Sequence, residues 1–157
     1  MDVQDIHALL RERFEDAIGE WQVPERGDAF VMVAAERLAD VCRFLRDDAA
    51  TRFDFLRLIS TVDRGPHLSS VYHLYSYEHH HAIVLRVDVD REAPRVPSVA
   101  SIWPAAEWHE REAFDMMGIV YENHPELTRI LLPNDWEGFP LRKDYQAPPA
   151  YHGLTNA

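Results

Sequence analysis

The chain has 157 residues, 46% of them hydrophobic and 27% charged, which fits one globular domain around one core and excludes wholesale disorder. A formal charge of −11 with no basic run argues against a nucleic-acid binder, because such proteins meet phosphates with a basic face. The single cysteine, Cys42, forbids an intrachain disulfide and cannot by itself build a thiolate site for zinc or an iron–sulfur cluster.

The start, MDVQDIHALLRERF, is amphipathic and carries acids, so it does not read as a signal peptide. Ile6, Leu9, Leu10, Phe14, Ala17 and Ile18 share one helical face, predicting a helix over 2–18 that Gly19 ends. After a PERGD turn, Ala29–Val33 reads as a short strand. The run Ala29 to Ala35 is the longest apolar stretch and falls far short of the ~20 residues of a membrane helix. Leu38, Val41, Cys42 and Leu45 give helical spacing over 35–47, with Cys42 a small buried hydrophobe. Three strands follow, Phe53–Asp63, Leu68–Tyr77 and Ala82–Asp90, joined by turns short enough for antiparallel hairpins. The segment REAPRVPS reads as a Pro-rich loop. Pro104 suits the first turn of a helix running to Met117, and Gly118 closes it. Periodicity then fades among prolines and aromatics. The expected class is α+β: N-terminal helices packed on a mainly antiparallel sheet, then one helix and an extended irregular C-terminal segment. One domain is expected over 1–145, with an extended tail over 146–157.

Motifs for familiar chemistry are missing. The six glycines are scattered, so there is no Gly-x-Gly-x-x-Gly or Walker loop, and no Gly-x-Ser-x-Gly elbow occurs. His79, His80 and His81 fall in a hairpin turn, where neighbouring side chains point apart and do not converge on one ion. His109-Glu110 opens like a zinc-protease motif, but Ala113 stands where the second histidine is needed. On the 104–117 helix, Ala106, Ala113, Phe114 and Met117 form one arc, while Trp108, Arg111, Glu112 and Asp115 form the opposite one. Glu110 lies within the apolar arc. A carboxylate buried there needs a partner or a proton, and Arg129 or Arg142 is the expected partner. Glu110, Glu112 and Asp115 could alternatively serve a freestanding enzyme as acid–base groups.

The run WHEREAFDMMGIVYENHPELTRILLPNDWEGFPLRKDY, residues 108–145, resembles the signature of the 30-kilodalton subunit family of respiratory complex I. Its marks are Glu-Arg-Glu-x-x-Asp-x-x-Gly, His-Pro-x-Leu-x-Arg-Ile-Leu-x-Pro and Pro-Leu-Arg-Lys-Asp-Tyr. Arg-Val-Pro-Ser, Trp103-Pro104 and the strand from Val71 fit as well, so the likeness spans residues 55–148. Phe139, Thr128 and Asn123 depart from the residues common in the family. The resemblance implies a non-catalytic peripheral-arm subunit of a proton-pumping NADH:quinone oxidoreductase. Such a subunit has no cofactor of its own; FMN and iron–sulfur clusters belong to partner chains. The implied partners are the large quinone-site subunit and the iron–sulfur subunit of the quinone module. The implied place is the cytoplasmic side of the energy-transducing membrane, reached only through the complex. Docking and bracing contacts are expected from Glu110, Arg111, Glu112, Asp115, His124, Pro125, Arg129, Leu141, Arg142, Lys143, Asp144 and Tyr145. An obligate interface of this kind buries over ~2,000 Å² in total. An equivalent subunit of a related complex using ferredoxin, a deazaflavin or hydrogen as donor fits the same residues.

Overall fold

A computed structural model of the chain describes residues 1–155. Helix α1 (Val3–Phe14) starts at a reciprocal cap, in which the Asp5 N–H donates to the Asp2 carboxylate and the Asp2 N–H to that of Asp5. It buries Ile6 and Leu10. The helix ends earlier than the apolar spacing predicts. Glu15 takes φ 48°, one 3-10 turn follows, and Ile18–Gln22 form strand β1. Gly19 is therefore not a helix stop. A Cβ there would lie 2.8 Å from Met32 Cβ, so the glycine permits close approach of β1 to β2 (Phe30–Val33). Ile18 is buried in either reading, and periodicity could not separate the two.

A 3-10 turn at Ala35–Arg37 leads into α2 (Leu38–Asp47). Strands β3 (Phe55–Asp63), β4 (His67–Ser76) and β5 (His81–Asp90) form the expected hairpins. The sheet order is β1-β2-β5-β4-β3, and all its pairings are antiparallel except β2 with β5. The inner face supplies Leu68, Tyr72, Leu74, Ile83, Leu85 and Val87 to one core. Ile6 and Leu10 of α1 and Val41, Cys42 and Leu45 of α2 pack into the same core. Burying such side chains contributes roughly 1.5–3 kcal/mol each. The α+β expectation holds.

Helix α3 (Ala106–Met117) is bracketed by β6 (Arg95–Pro97) and β7 (Val120–Glu122), a short parallel pair that the loop reading of REAPRVPS misses. Three residues with two nearby prolines carry no period, and Pro97 is tolerated at such an edge. The pair ties the chain before α3 to the chain after it, and it buries Val96 and Tyr121. Residues 146–155 are not simply extended. They contain a hairpin of β8 (Ala150–Tyr151) and β9 (Leu154–Thr155), turned by His152 and Gly153, both at positive φ. Tyr151 Oη and His152 Nε2 donate to the Asp135 carboxylate at 2.9 and 2.8 Å. The last two residues of the expected tail lie outside the described residues. No helix among the described residues is long and apolar enough to cross a membrane.

Candidate functional site

The chain from Asn123 to Tyr145 has no helix or strand, yet it lies across α3 as a cover. Its backbone groups still need partners, and α3 supplies them. Asp115 is the hub. Its Oδ2 accepts the successive N–H groups of Ile130, Leu131 and Leu132 at 3.0, 2.7 and 2.9 Å. Its Oδ1 accepts from Arg129 Nη1 at 2.9 Å. Burial alone would push this carboxyl up. The Leu132 and Leu131 N–H groups, Arg129 and the Ile130 N–H outweigh it and hold Asp115 below the usual carboxylate range. The helical arc that looks polar in sequence is thus buried at Asp115, because the cover lies on it.

Other side chains fasten the cover along its length. Arg111 donates to the Thr128 carbonyl at 3.1 Å and its hydroxyl at 2.8 Å, with its guanidinium over the Trp108 ring. Arg142 Nε donates to Met117 O at 2.7 Å, and Leu141 N–H to Met116 O at 3.1 Å, closing the carboxyl end of α3. Phe139 lies under Arg129 and Arg142. Gly118, at φ 73°, leaves room for it: a Cβ there would come within 2.5 Å of the Phe139 ring. Farther on, Lys143 N–H donates to Asp63 Oδ2 at 2.8 Å, and Arg91 joins Asp63 to Asp144. Arg91, then the Lys143 N–H, hold the Asp63 carboxyl well below its usual range. Tyr145 packs against Gly138, and Glu112 and Pro125 are exposed.

Glu110 does not pair with Arg129 or Arg142, contrary to the sequence expectation. Those arginines serve Asp115 and Met117 O. Glu110 is fully buried beneath α3, where it accepts the Ser98 hydroxyl at 2.5 Å and the Val99 N–H at 2.7 Å. It therefore fixes the chain entering α3 rather than the chain leaving it. Burial pushes its carboxyl up to about 7 against the opposing pull of those two bonds. His124 Nε2 lies 3.8 Å from it but makes no ion pair in this arrangement. Its Nε2 donates to Glu107 O at 3.0 Å, and its Nδ1 accepts the Glu126 N–H at 3.0 Å, which describes a neutral ring.

The structure brings nine of the twelve expected residues into one clasp, sets Glu110 on the chain entering α3, and leaves Glu112 and Pro125 outside this bonding. Sequence reasoning misses Asp63 and Arg91, which lie too far along the chain to carry a local signal. It also misses Trp108 and Leu131, which with Leu141 stand 61%, 61% and 57% exposed. An aromatic on a polar arc was the available clue. The histidine turn is structural: His79 and His81 donate to Ala49 O and Thr51 O at 2.8 and 2.6 Å. Among the described residues no three metal-binding side chains cluster.

Two outcomes follow for this clasp. Asp115→Ala strands Arg129 and three N–H groups, so it should cost about 3–5 kcal/mol in urea unfolding and open Arg129 to trypsin; a loss below about 1 kcal/mol would contradict the hub. The Glu110 carboxyl is raised above the 4.5 of an exposed glutamate. The folded state then binds the extra proton between those values. Glu110's contribution is full below pH 4.5 and declines as pH rises to about 7, by on the order of 3 kcal/mol. Glu110→Gln cannot ionise, so its melting temperature should gain on the unsubstituted protein from pH 5 to pH 8. Parallel pH profiles would refute this.

The family model of the respiratory-chain NADH dehydrogenase 30 Kd subunit matches residues 31–151. An NADH-quinone oxidoreductase subunit from Roseiflexus sp. (strain RS-1) is 53% identical over 122 residues, covering 76% of this chain and 70% of that protein. The subunit of the same name from Chloroherpeton thalassium is 41% identical over 150 residues, 94% of this chain but 62% of that protein. Among solved structures, a trypsin-resistant fragment of Nqo5 matches with TM-score 0.61 and 28% identity, over 78% of this chain and 98% of the fragment. A chain of the membrane-bound sulfane sulfur reductase, an archaeal respiratory membrane complex, matches with TM-score 0.73 and 25% identity, over 91% of this chain and 85% of its own length. A match over so much of the chain, including the clasp, makes this protein a member of the respiratory-chain NADH dehydrogenase 30 Kd subunit family.

Proposed function

We propose that the chain is a non-catalytic peripheral-arm subunit of a proton-pumping NADH:quinone oxidoreductase. It braces the quinone-reducing module against the large quinone-site subunit, beside an iron–sulfur subunit, on the cytoplasmic side of the membrane. The observation that carries this reading is the outer surface of α3 and its cover. There Trp108, Leu131 and Leu141 are exposed on a segment held in place from beneath by the buried Asp115 and Asp63 carboxylates. Exposed aromatic and aliphatic side chains on a rigid platform suit a partner surface. Of the acid–base candidates Glu110, Glu112 and Asp115, Glu110 and Asp115 are buried with internal partners, and Glu112 stands exposed. FMN and iron–sulfur clusters belong to partner chains in this reading. Its support is that the lone Cys42 is buried in the core and that burial pushes its thiol up.

The likeness to a chain of the sulfane sulfur reductase favours a second reading, an equivalent subunit in a related complex with ferredoxin, a deazaflavin or hydrogen as donor. Purification of a tagged copy from gently solubilised native membranes separates the two. A quinone-module large subunit together with flavin-bearing and NADH-site chains supports the first, and a nickel-binding large subunit supports the second. Recovery of the chain alone would contradict both. In the same experiment, Trp108→Asp with Leu141→Asp should lower recovery of the large subunit at least tenfold, roughly the effect of losing one or two interface anchors, while leaving the melting temperature of the isolated chain in place. Unchanged recovery would remove this surface from the interface. Deletion of residues 146–157 should leave the domain folded and reduce complex yield. An undiminished yield would show that the tail has no part in assembly.

A further inference from the structure

The sheet has a second face, turned away from the three helices. Its register builds cross-strand rows such as Val84–His73–Leu58 and Arg86–Val71–Ser60. The connection between β1 and β2, residues 23–29, forms one wall above these rows and encloses a cleft of about 510 Å³. A second depression of about 270 Å³ shares Asp28, His73 and Val84 with the first, so the two make one elongated trough. Phe30, Val62, Val71 and Val84 give it an apolar lining.

Its charge runs against that of the whole chain. Arg26 and Arg64 line the larger depression and Arg57 the smaller. Among the described residues none of the three makes an ion pair; Arg57 rests over the Tyr75 ring at 5.6 Å. Arg86 is taken up by Asp88, with bonds of 2.7 and 2.8 Å. Asp28 is the one carboxylate among the described residues lining either depression, and His73 Nδ1 lies 3.7 Å from it. A chain of net charge −11 thus keeps unpaired guanidinium groups at both ends of one apolar trough. Guanidinium groups favour carboxylates in two-point contacts. A compact anion would need all its donors in one pocket, and these are divided between two depressions.

We infer that this trough is a docking site for an extended, acidic segment of a partner polypeptide. The segment's apolar side chains rest on Phe30, Val71 and Val84, and its carboxylates meet Arg26, Arg64 and Arg57. The trough lies on the layer opposite α3, so the inference is separate from the bracing surface.

The test uses the tagged full chain assembled in native membranes, with a benzophenone amino acid at Val23, an exposed wall residue, or in a second strain at Leu141. Irradiation at Val23 should trap one partner peptide in which Asp and Glu outnumber Lys and Arg. Arg26→Glu with Arg64→Glu should cut that yield about tenfold, the scale of two lost charge contacts, while the Leu141 product persists. The milder Arg26→Gln with Arg64→Gln pair should lower it less, which separates charge from any loss of fold. Capture at Leu141 with none at Val23 would overturn the trough alone. Capture at Val23 of lipid, of a second copy of this chain or of a basic segment would also overturn it. Silence at both positions would sink this proposal and the bracing surface together.

Discussion

An irregular stretch of chain cannot satisfy its own backbone, and that constraint governs the C-terminal third of this protein. A helix or strand pairs its N–H groups by repetition. The chain from Asn123 to Tyr145 has no such ladder and depends on fixed side chains. Asp115 accepts three successive N–H groups and one guanidinium in a place closed to water. Arg142 and Asp63 repeat the device farther on, one supplying a donor to the end of a helix and the other an acceptor at the end of a strand. Each contact withdraws a polar group from solvent, which is favourable only when the whole set is complete. The cover therefore lies in one defined path, and the residues it leaves exposed keep fixed positions.

The sequence was informative where a period was long enough to be read. Ile83, Leu85, Val87 and Val89 alternate along β5, and the turns of the β3–β4–β5 hairpins fall near the expected positions. The failures have physical reasons. Ala17 and Ile18 continue the apolar arc of α1, yet a backbone reversal at Glu15 sends Ile18 into a strand while it stays buried. β6 and β7 are too short to show a pattern. The charged clasp was legible as a set of residues but not as a wiring. The expectation put Glu110 with an arginine, because a buried carboxylate needs a partner. It did not foresee that Ser98 and Val99 would supply neutral donors while Asp115 took Arg129. Helical projection assigns Asp115 to a polar face, and only the tertiary cover makes that one position interior.

The two sides of the sheet divide the chemistry. On the helix side, buried titratable groups such as Cys42, Tyr72, Tyr121 and Glu110 sit close together, and burial pushes each of them toward its neutral form. That layer holds little net charge and is dominated by packing. On the other side, arginines stand without ionic partners beside apolar side chains.

The parallel contact between β2 and β5 also bears on the order in which the chain can assemble. Val31 lies between Trp21 of β1 and Leu85 of β5, so the β1–β2 pair leaves the ribosome well before the strand on its other side exists. An isolated two-stranded hairpin is marginal in water. The amino-terminal part must wait for the β4–β5 hairpin, whose contacts are local and quick to form. The clasp then closes over α3 only after Asp63, Arg91 and the last residues of the cover are all present. Synthesis thus runs from one end to the other, while structure spreads outward from the middle of the chain.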